Sequence, residues 1–274
     1  MVSTSDDSGQ PNRAAGHPAD PSRLSLTRRI FDLPSTQTRL RYVICSTPRS
    51  GSTLLAELLR ATGQMGVPAE YLDAADAMPR MARRYGVVAP GGLLDMTAYL
   101  GALQAHRTTA NGVFGVKVHF RDLRGLLTLD CIRELLVASR MLWIRRRDVL
   151  GQAISLEIGS QTQQWSKLRG HDIQGRETKY SAKAISRRIA EIVGEESEWS
   201  MFLEANALPY HVVFYEDLLT DSVGAVHAAF ALLGLPDPPP VRIDDIPIEK
   251  QGGDINTTWR RNFLSEISIR PPSV

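Results

Sequence analysis

Lysine is nearly missing from this chain: of 32 basic residues only Lys117, Lys167, Lys179, Lys183 and Lys250 are lysines, and 27 are arginines. Biased codon usage suffices for most of that excess, but guanidinium is also the group that grips anions through two parallel hydrogen bonds. Net charge is nearly missing too. A formal +2 argues against a generic polyanion binder and against nucleic acid as partner. Cys45 and Cys131 are the only cysteines, too few for a disulfide framework, so a reducing, cytoplasmic setting is expected. No apolar run approaches the length of a membrane-spanning helix, and no integral membrane segment is expected. The first 25 residues lack the apolar stretch of a secretory signal. They are rich in Ser, Asp, Pro and Gly, and read as a disordered tail. No repeat of solenoid period occurs. His106, His171, His211 and His227 are scattered without ligand spacing, so no metal is expected.

What remains is ordinary in bulk. The chain has 274 residues, 43% of them hydrophobic, enough for one well-buried domain over 26–274. Short apolar runs at 41–46, 113–118, 140–145 and 210–215 read as strands. Helical periodicity follows them. Leu54, Leu55, Leu58 and Leu59 share one face. Leu150, Ile154 and Ile158 share another, as do Ile185, Ile189, Ile192, Trp199 and Leu203 in a long helix over 178–205, and Val223, Val226, Phe230 and Leu233 before Gly234. Alternating strands and helices predict an α/β fold in three layers, a mainly parallel sheet with helices on both faces. A Pro-rich linker over 235–247 is excluded from helix, and 251–274 reads as polar and irregular. Such sheets bind ligands at the carboxyl ends of their strands, so the turns there carry the argument.

The first turn is Cys45-Ser46-Thr47-Pro48-Arg49-Ser50-Gly51-Ser52-Thr53. Small residues let the backbone curl, the helix N-terminus adds positive potential, and Ser50, Ser52, Thr53 and Arg49 add donors: an anion cradle. The plainer alternative is a βα turn capped by Ser50. The loop lacks the lysine of a Walker A motif, Ser52 standing in its place, and there is no obvious acidic strand end to hold Mg²⁺. The second turn is Arg145-Arg146-Arg147-Asp148, with Asp148 placed to cap a helix and Ser155 two turns into it. It reads as a second anion site or as a solvated charge cluster. Two such sites on neighbouring turns suggest a nucleotide with two separated phosphates.

Together, Arg49-Ser50-Gly51-Ser52-Thr53-Leu54-Leu55 and the later Arg-Asp-x-x-x-Gln-Ala-x-Ser segment ending at Ser155 resemble the sulfotransferases that use 3′-phosphoadenosine-5′-phosphosulfate (PAPS). More narrowly, STPRSGSTLLAELLRATGQMGVPAEYL is similar to the bacterial trehalose 2-sulfotransferase-like family. The resemblance runs from about residue 41 to about 260. It implies a P-loop NTPase-like sulfotransferase fold and in-line transfer of a sulfuryl group from PAPS to a hydroxyl of a carbohydrate or glycosylated small molecule or lipid, by a homodimer. It implies that Arg49, Ser50, Gly51, Ser52 and Thr53 hold the 5′-phosphosulfate, with Arg49 supporting the leaving phosphate. Arg146 and Ser155 would hold the 3′-phosphate. Glu70, just after Pro68, would be the base. Lys117 would contact substrate or the sulfuryl group, and His119 is a rival base. In the segment 251–264, Trp259 would cover the adenine and Arg260 or Arg261 would reach the 3′-phosphate; the alternative is a segment packed through its Trp. Arg147 departs from the family pattern, and the roles of Arg145 and Arg147 stay open. An ATP-dependent small-molecule kinase and a non-catalytic nucleotide-binding protein are the competing readings. Specificity loops are expected at 73–110 and 157–178, with 78–84 and 160–171 facing the acceptor and Trp165 stacking on a sugar.

Overall fold

The structure, a computed structural model, describes residues 26–88, 91–163, 165, 167–168, 177–246, 248–249 and 253–268. The expected tail over 1–25 lies outside the described residues.

Four strands form the main sheet: β1 (Leu40–Ser46), β2 (Val113–His119), β3 (Ser139–Arg145) and β5 (Tyr210–Phe214). Each agrees with its sequence expectation to within a residue. They lie in the order β2-β1-β3-β5, every pair parallel. Successive residues of a strand point to opposite faces, and all seven of β2 are buried, so both faces of the sheet are covered. That explains the near-continuous apolar strands. Two short strands, β4 (Lys167–Leu168) and β6 (Ile248–Glu249), pair antiparallel elsewhere.

The helices are α1 (Ser52–Ala61), α2 (Ala77–Tyr85), α3 (Met96–Arg107), α4 (Phe120–Arg124), α5 (Asp130–Val137), α6 (Val149–Thr162), α7 (Ala182–Ala205), α8 (Tyr215–Thr220), α9 (Ser222–Leu233) and α10 (Asp254–Ile267). Among the described residues, none is long and apolar enough to cross a membrane. The leucine face of α1 is buried as expected: Leu55, Leu58 and Leu59 are fully inside the main core, worth about 1.5–3 kcal/mol each. Burial, not capping, therefore anchors this helix. Ile185, Ile192, Trp199 and Leu203 of α7 are buried, and Val226, Phe230 and Leu233 of α9 likewise, while Val223 in the first turn of α9 is exposed. Gly234 closes α9 in the left-handed conformation.

Three expectations change. The stretch 73–110 is not a loop: α2 and α3 occupy much of it, and Tyr99, Leu100 and Leu103 enter the main core. Pro79 is tolerated because it stands in the first turn of α2. Over its described residues the C-terminal region is not irregular, since α10 docks on α6, with Trp259 and Phe263 in a second core that also holds Ile154 of α6 and Ile185 and Ile192 of α7. The Pro-rich run is not a loose linker. Its described residues hold no α-helix, but Val241 and Ile246 are buried in the main core around a 3-10 turn at Ile243–Asp245.

β1 sends its chain to β2 on one side, while β3 leads to β5 on the other. The crevice at the carboxyl ends of β1 and β3 is therefore the topological switch point, where ligands enter such sheets. Both turns singled out in the sequence open there.

Candidate active site

The loop from β1 to α1 is tight and strained. Arg49 has φ 65°, unusual for a residue with a side chain, and Gly51 has φ 93°. Gly51 is required twice over: a Cβ there would meet the Tyr215 ring at 2.3 Å. Gly51 is also the N-cap of α1, and no side chain caps the helix. The alternative of a turn capped by Ser50 is thus not realised. Ser50 is fully buried and its Oγ has no hydrogen-bond partner among the described residues. A buried, unpaired hydroxyl beside uncapped amides is costly unless a ligand completes it.

Arg49 crosses to the second turn, where its Nε donates to Ser155 Oγ at 2.9 Å. Burial and the nearby charge of Arg146 push the Arg49 guanidinium down to about 10. Two guanidiniums in each other's field repel, and anions bound beside them would relieve that repulsion. Arg146 lies over the Tyr215 ring, 5.0 Å from its centroid. Its Nε is buried without a partner among the described residues, and Asp148 forms an ion pair 3.7 Å from Nη2. The other two arginines of this turn are engaged elsewhere. Arg145 binds Glu196 (Nε to Oε2, 3.0 Å) and stacks on Trp143. Arg147 forms a fork with both oxygens of Asp217 at 2.6 and 2.7 Å. The structure thus assigns them structural ion pairs, which the sequence left open.

Asp148 caps α6 as expected, accepting from Gly151 N at 3.0 Å. It also accepts from Arg260 Nη1 at 2.8 and 3.0 Å. Burial works against its ionisation, but Arg260, the Gly151 amide and Arg146 together hold its carboxyl below the usual range. So α10 does reach the second turn, through Arg260. Trp259 does not: it is 4% exposed, edge-on to Tyr180 at 5.8 Å, with no ring face open to a base. Its expected place over an adenine is corrected to a core position.

At the other end of the crevice, Glu70 is delivered by the segment Gly66–Glu70. Gly66 (φ 66°) lies so close to β2 that a Cβ would be 3.0 Å from its backbone, and Lys117 N donates to Ala69 O at 2.9 Å. Register places Ser46 beside His119. There Lys117 Nζ lies 2.9 Å and His119 Nε2 3.1 Å from Glu70 Oε1. Lys117 Nζ also donates to Thr53 Oγ1 at 3.0 Å, tying this carboxylate to the cradle. Burial pushes the Glu70 carboxyl up, yet Lys117 and His119 outweigh it and hold it well below the usual carboxylate range. Glu70 is therefore ionised at neutral pH.

Three contributors were missed in the sequence. Gln152, fully buried, donates from Nε2 to Thr47 Oγ1 and Pro48 O, both at 2.8 Å, clamping the first loop to α6. Its place within the quoted stretch, one helical turn before Ser155, was the available signal. Tyr215, at the carboxyl edge just past β5, supports both Gly51 and Arg146. Trp199 donates from Nε1 to Ser46 O at 3.0 Å. Of the acceptor-facing stretches, 78–84 turns elsewhere: Arg80 and Arg84 bind Thr27 and Asp32. Trp165 is exposed, and its carbonyl accepts from Arg49. Much of 160–171 lies outside the described residues.

A family model of the Stf0 sulphotransferases matches residues 41–266. The chain belongs to the Stf0 sulphotransferase family. The resemblance read from the two turns is thereby confirmed: the protein is a sulfotransferase, and the kinase and non-catalytic readings give way. Similar proteins of this kind include the trehalose 2-sulfotransferase of Mycolicibacterium smegmatis, 28% identical over 256 residues (81% of this chain, 93% of that protein). The trehalose 2-sulfotransferase of Mycobacterium tuberculosis is 27% identical (82% of this chain, 94% of that protein). Among solved structures, a sulfotransferase from Alicyclobacillus acidocaldarius aligns with TM-score 0.47 at 14% identity (84% of this chain, 93% of that chain).

Proposed function

We propose that this Stf0 family member takes its sulfuryl group from PAPS and passes it to a hydroxyl of a carbohydrate or glycosylated small molecule. The observation that carries the reading is the Arg49–Ser155 hydrogen bond of 2.9 Å, which makes the two anion-holding turns one continuous surface. PAPS carries its two phosphate-bearing arms on a single ribose, so it calls for two contiguous sites. The orphaned Ser50 Oγ and Arg146 Nε supply donors in each.

PAPS, when bound, supplies a sulfuryl group already activated for transfer. The chain's own residues do the rest. Arg49, the Ser50 hydroxyl and the uncapped amides at Gly51, Ser52 and Thr53 hold the negative charge of the 5′ end, where charge grows as the bond breaks. Arg146 and Ser155 select the 3′-phosphate, with Arg260 close by on Asp148. Glu70 takes the hydroxyl proton, a contribution of roughly 10²–10⁴ in rate for a positioned base. Lys117 spans the base and the cradle, placing its charge where the sulfuryl oxygens pass. No metal has a part in this scheme. The wider reading is of a cytoplasmic homodimer that acts on a sugar or glycolipid, trehalose being the first acceptor to try because the mycobacterial relatives are named for it.

The test is transfer of label from ³⁵S-PAPS to a panel of sugars and glycolipids, with and without EDTA. Labelled sugar, formed equally with EDTA, is expected. Label that moves to no sugar while γ-phosphate moves from ATP would refute the proposal.

A further inference from the structure

His119 offers two ring nitrogens, and the structure commits both. Nε2 faces Glu70 Oε1 at 3.1 Å. An ionised carboxylate has no hydrogen to give, so the hydrogen in that contact sits on Nε2. Nδ1 is turned inward, 3.0 Å from Ser46 Oγ and 3.3 Å from Ser46 O. Ser46 is itself fully buried and fixed: its Oγ donates to Val118 O at 3.1 Å, and its carbonyl accepts from Trp199 Nε1 at 3.0 Å. A base needs a lone pair that faces the acceptor hydroxyl, and His119 presents none. The second donor, Lys117 Nζ, converges on the same carboxylate oxygen, Oε1, at 2.9 Å.

We propose that His119 is a positioning residue and not a second base: with Lys117 it locks Oε1 of Glu70, so that Oε2 alone receives the proton of the acceptor hydroxyl. This rests on the sulfuryl-transfer reading above and assigns the division of labour within it. In the step, the acceptor oxygen bonds to sulfur and its proton passes to Oε2. The bond from sulfur to the 5′-phosphate oxygen breaks, and that oxygen leaves with the electron pair. Ser46 and Trp199 act one layer further out, by holding the imidazole ring.

Other charged groups lie nearby, and one of them, the Asp122 carboxyl, is also pushed up by Glu70 itself. Asp122 on α4 and Glu195 on α7 lie in the field of His119, and burial pushes both carboxyls up. Asp73 and Arg121 act on Asp122, and Glu57 on α1 feels Lys117. None of these makes an ion pair with Glu70 among the described residues.

The experiment is NMR on the full chain with ¹⁵N-histidine and ¹³C-carboxyl glutamate labels, in wild type, H119A and H119Q, with E70Q activity alongside. The expected result is an Nε2 of N–H type at neutral pH. H119A should raise the proton affinity of Glu70 by about tenfold, and H119Q, whose amide can donate, should restore much of the loss. The acid limb of kcat/KM should move upward in pH with the same order of variants. An Nε2 of lone-pair type, or a Glu70 titration unmoved in H119A, would overturn the assignment, and so would E70Q with full transfer activity. The NMR needs neither donor nor acceptor, so it decides the role of His119 even where the sulfuryl-transfer reading fails.

Discussion

At the end of β1 the chain turns through Arg49 and Gly51 in left-handed backbone, around a buried Ser50 hydroxyl with no partner among the described residues. At the end of β3 it turns through three consecutive arginines, two of them already held by Glu196 and Asp217. On the proposed reading, the first turn prepares for an anion by strain, burial and uncapped amides. The second does so by charge, most of which is spent on holding itself in place. Only Arg146, laid over Tyr215, remains directed at the crevice. Counting charges would rank the second turn as the stronger anion site. Counting donors left without partners ranks the first at least its equal. Strain at a turn and unpaired buried groups mark a site more sharply than a run of like charges does.

The largest expected effect breaks the first turn. Gly51→Ala drives a Cβ into the Tyr215 ring at 2.3 Å and forces a side chain into left-handed backbone. The backbone term alone costs about 1–2 kcal/mol. A fall in Tm of roughly 4–8 °C is expected for about 2 kcal/mol in a chain of this size, with loss of PAP binding, measured by thermal melts and calorimetry. Next comes the clamp between the turns. Gln152→Ala removes two donated hydrogen bonds and leaves Thr47 Oγ1 and Pro48 O without them. It should weaken PAP binding roughly tenfold, about 1–2 kcal/mol for lost buried hydrogen bonds, with the fold retained by circular dichroism. Smallest is Arg147→Ala. This side chain is half-exposed and committed to Asp217, so its loss should leave PAP affinity unchanged in the same calorimetric assay. A large loss there would move part of the phosphate site to Arg147 and undo the contrast.

The sheet was legible because buried parallel strands must be apolar on both sides, and RYVICS, VFGVKV and RMLWIR are. The cradle was legible because strand, small-residue loop and helix succeed one another in sequence. α10 was not, since Trp259 and Phe263 are its only buried side chains, and that sparse stripe becomes helical evidence only when α6 and α7 present a face to it. The same long-range logic hid Gln152, which lies 105 residues from Thr47, and it misplaced Trp259, whose aromatic character fits a core as well as a purine. Glu70 was found from its local motif, but its pairing with Lys117 and His119 depends on Gly66 lying flat on β2, a packing fact that no spacing conveys.

The division of work between the turns is tested most directly by calorimetry of two nucleotides, PAP and AMP, which differ by the 3′-phosphate, against wild type and Arg146→Ala. Arg146→Ala should weaken PAP by about a hundredfold, the size expected for loss of a charged hydrogen-bond partner, while AMP, held by the β1 turn, binds as before. Equal losses for PAP and AMP would contradict that division.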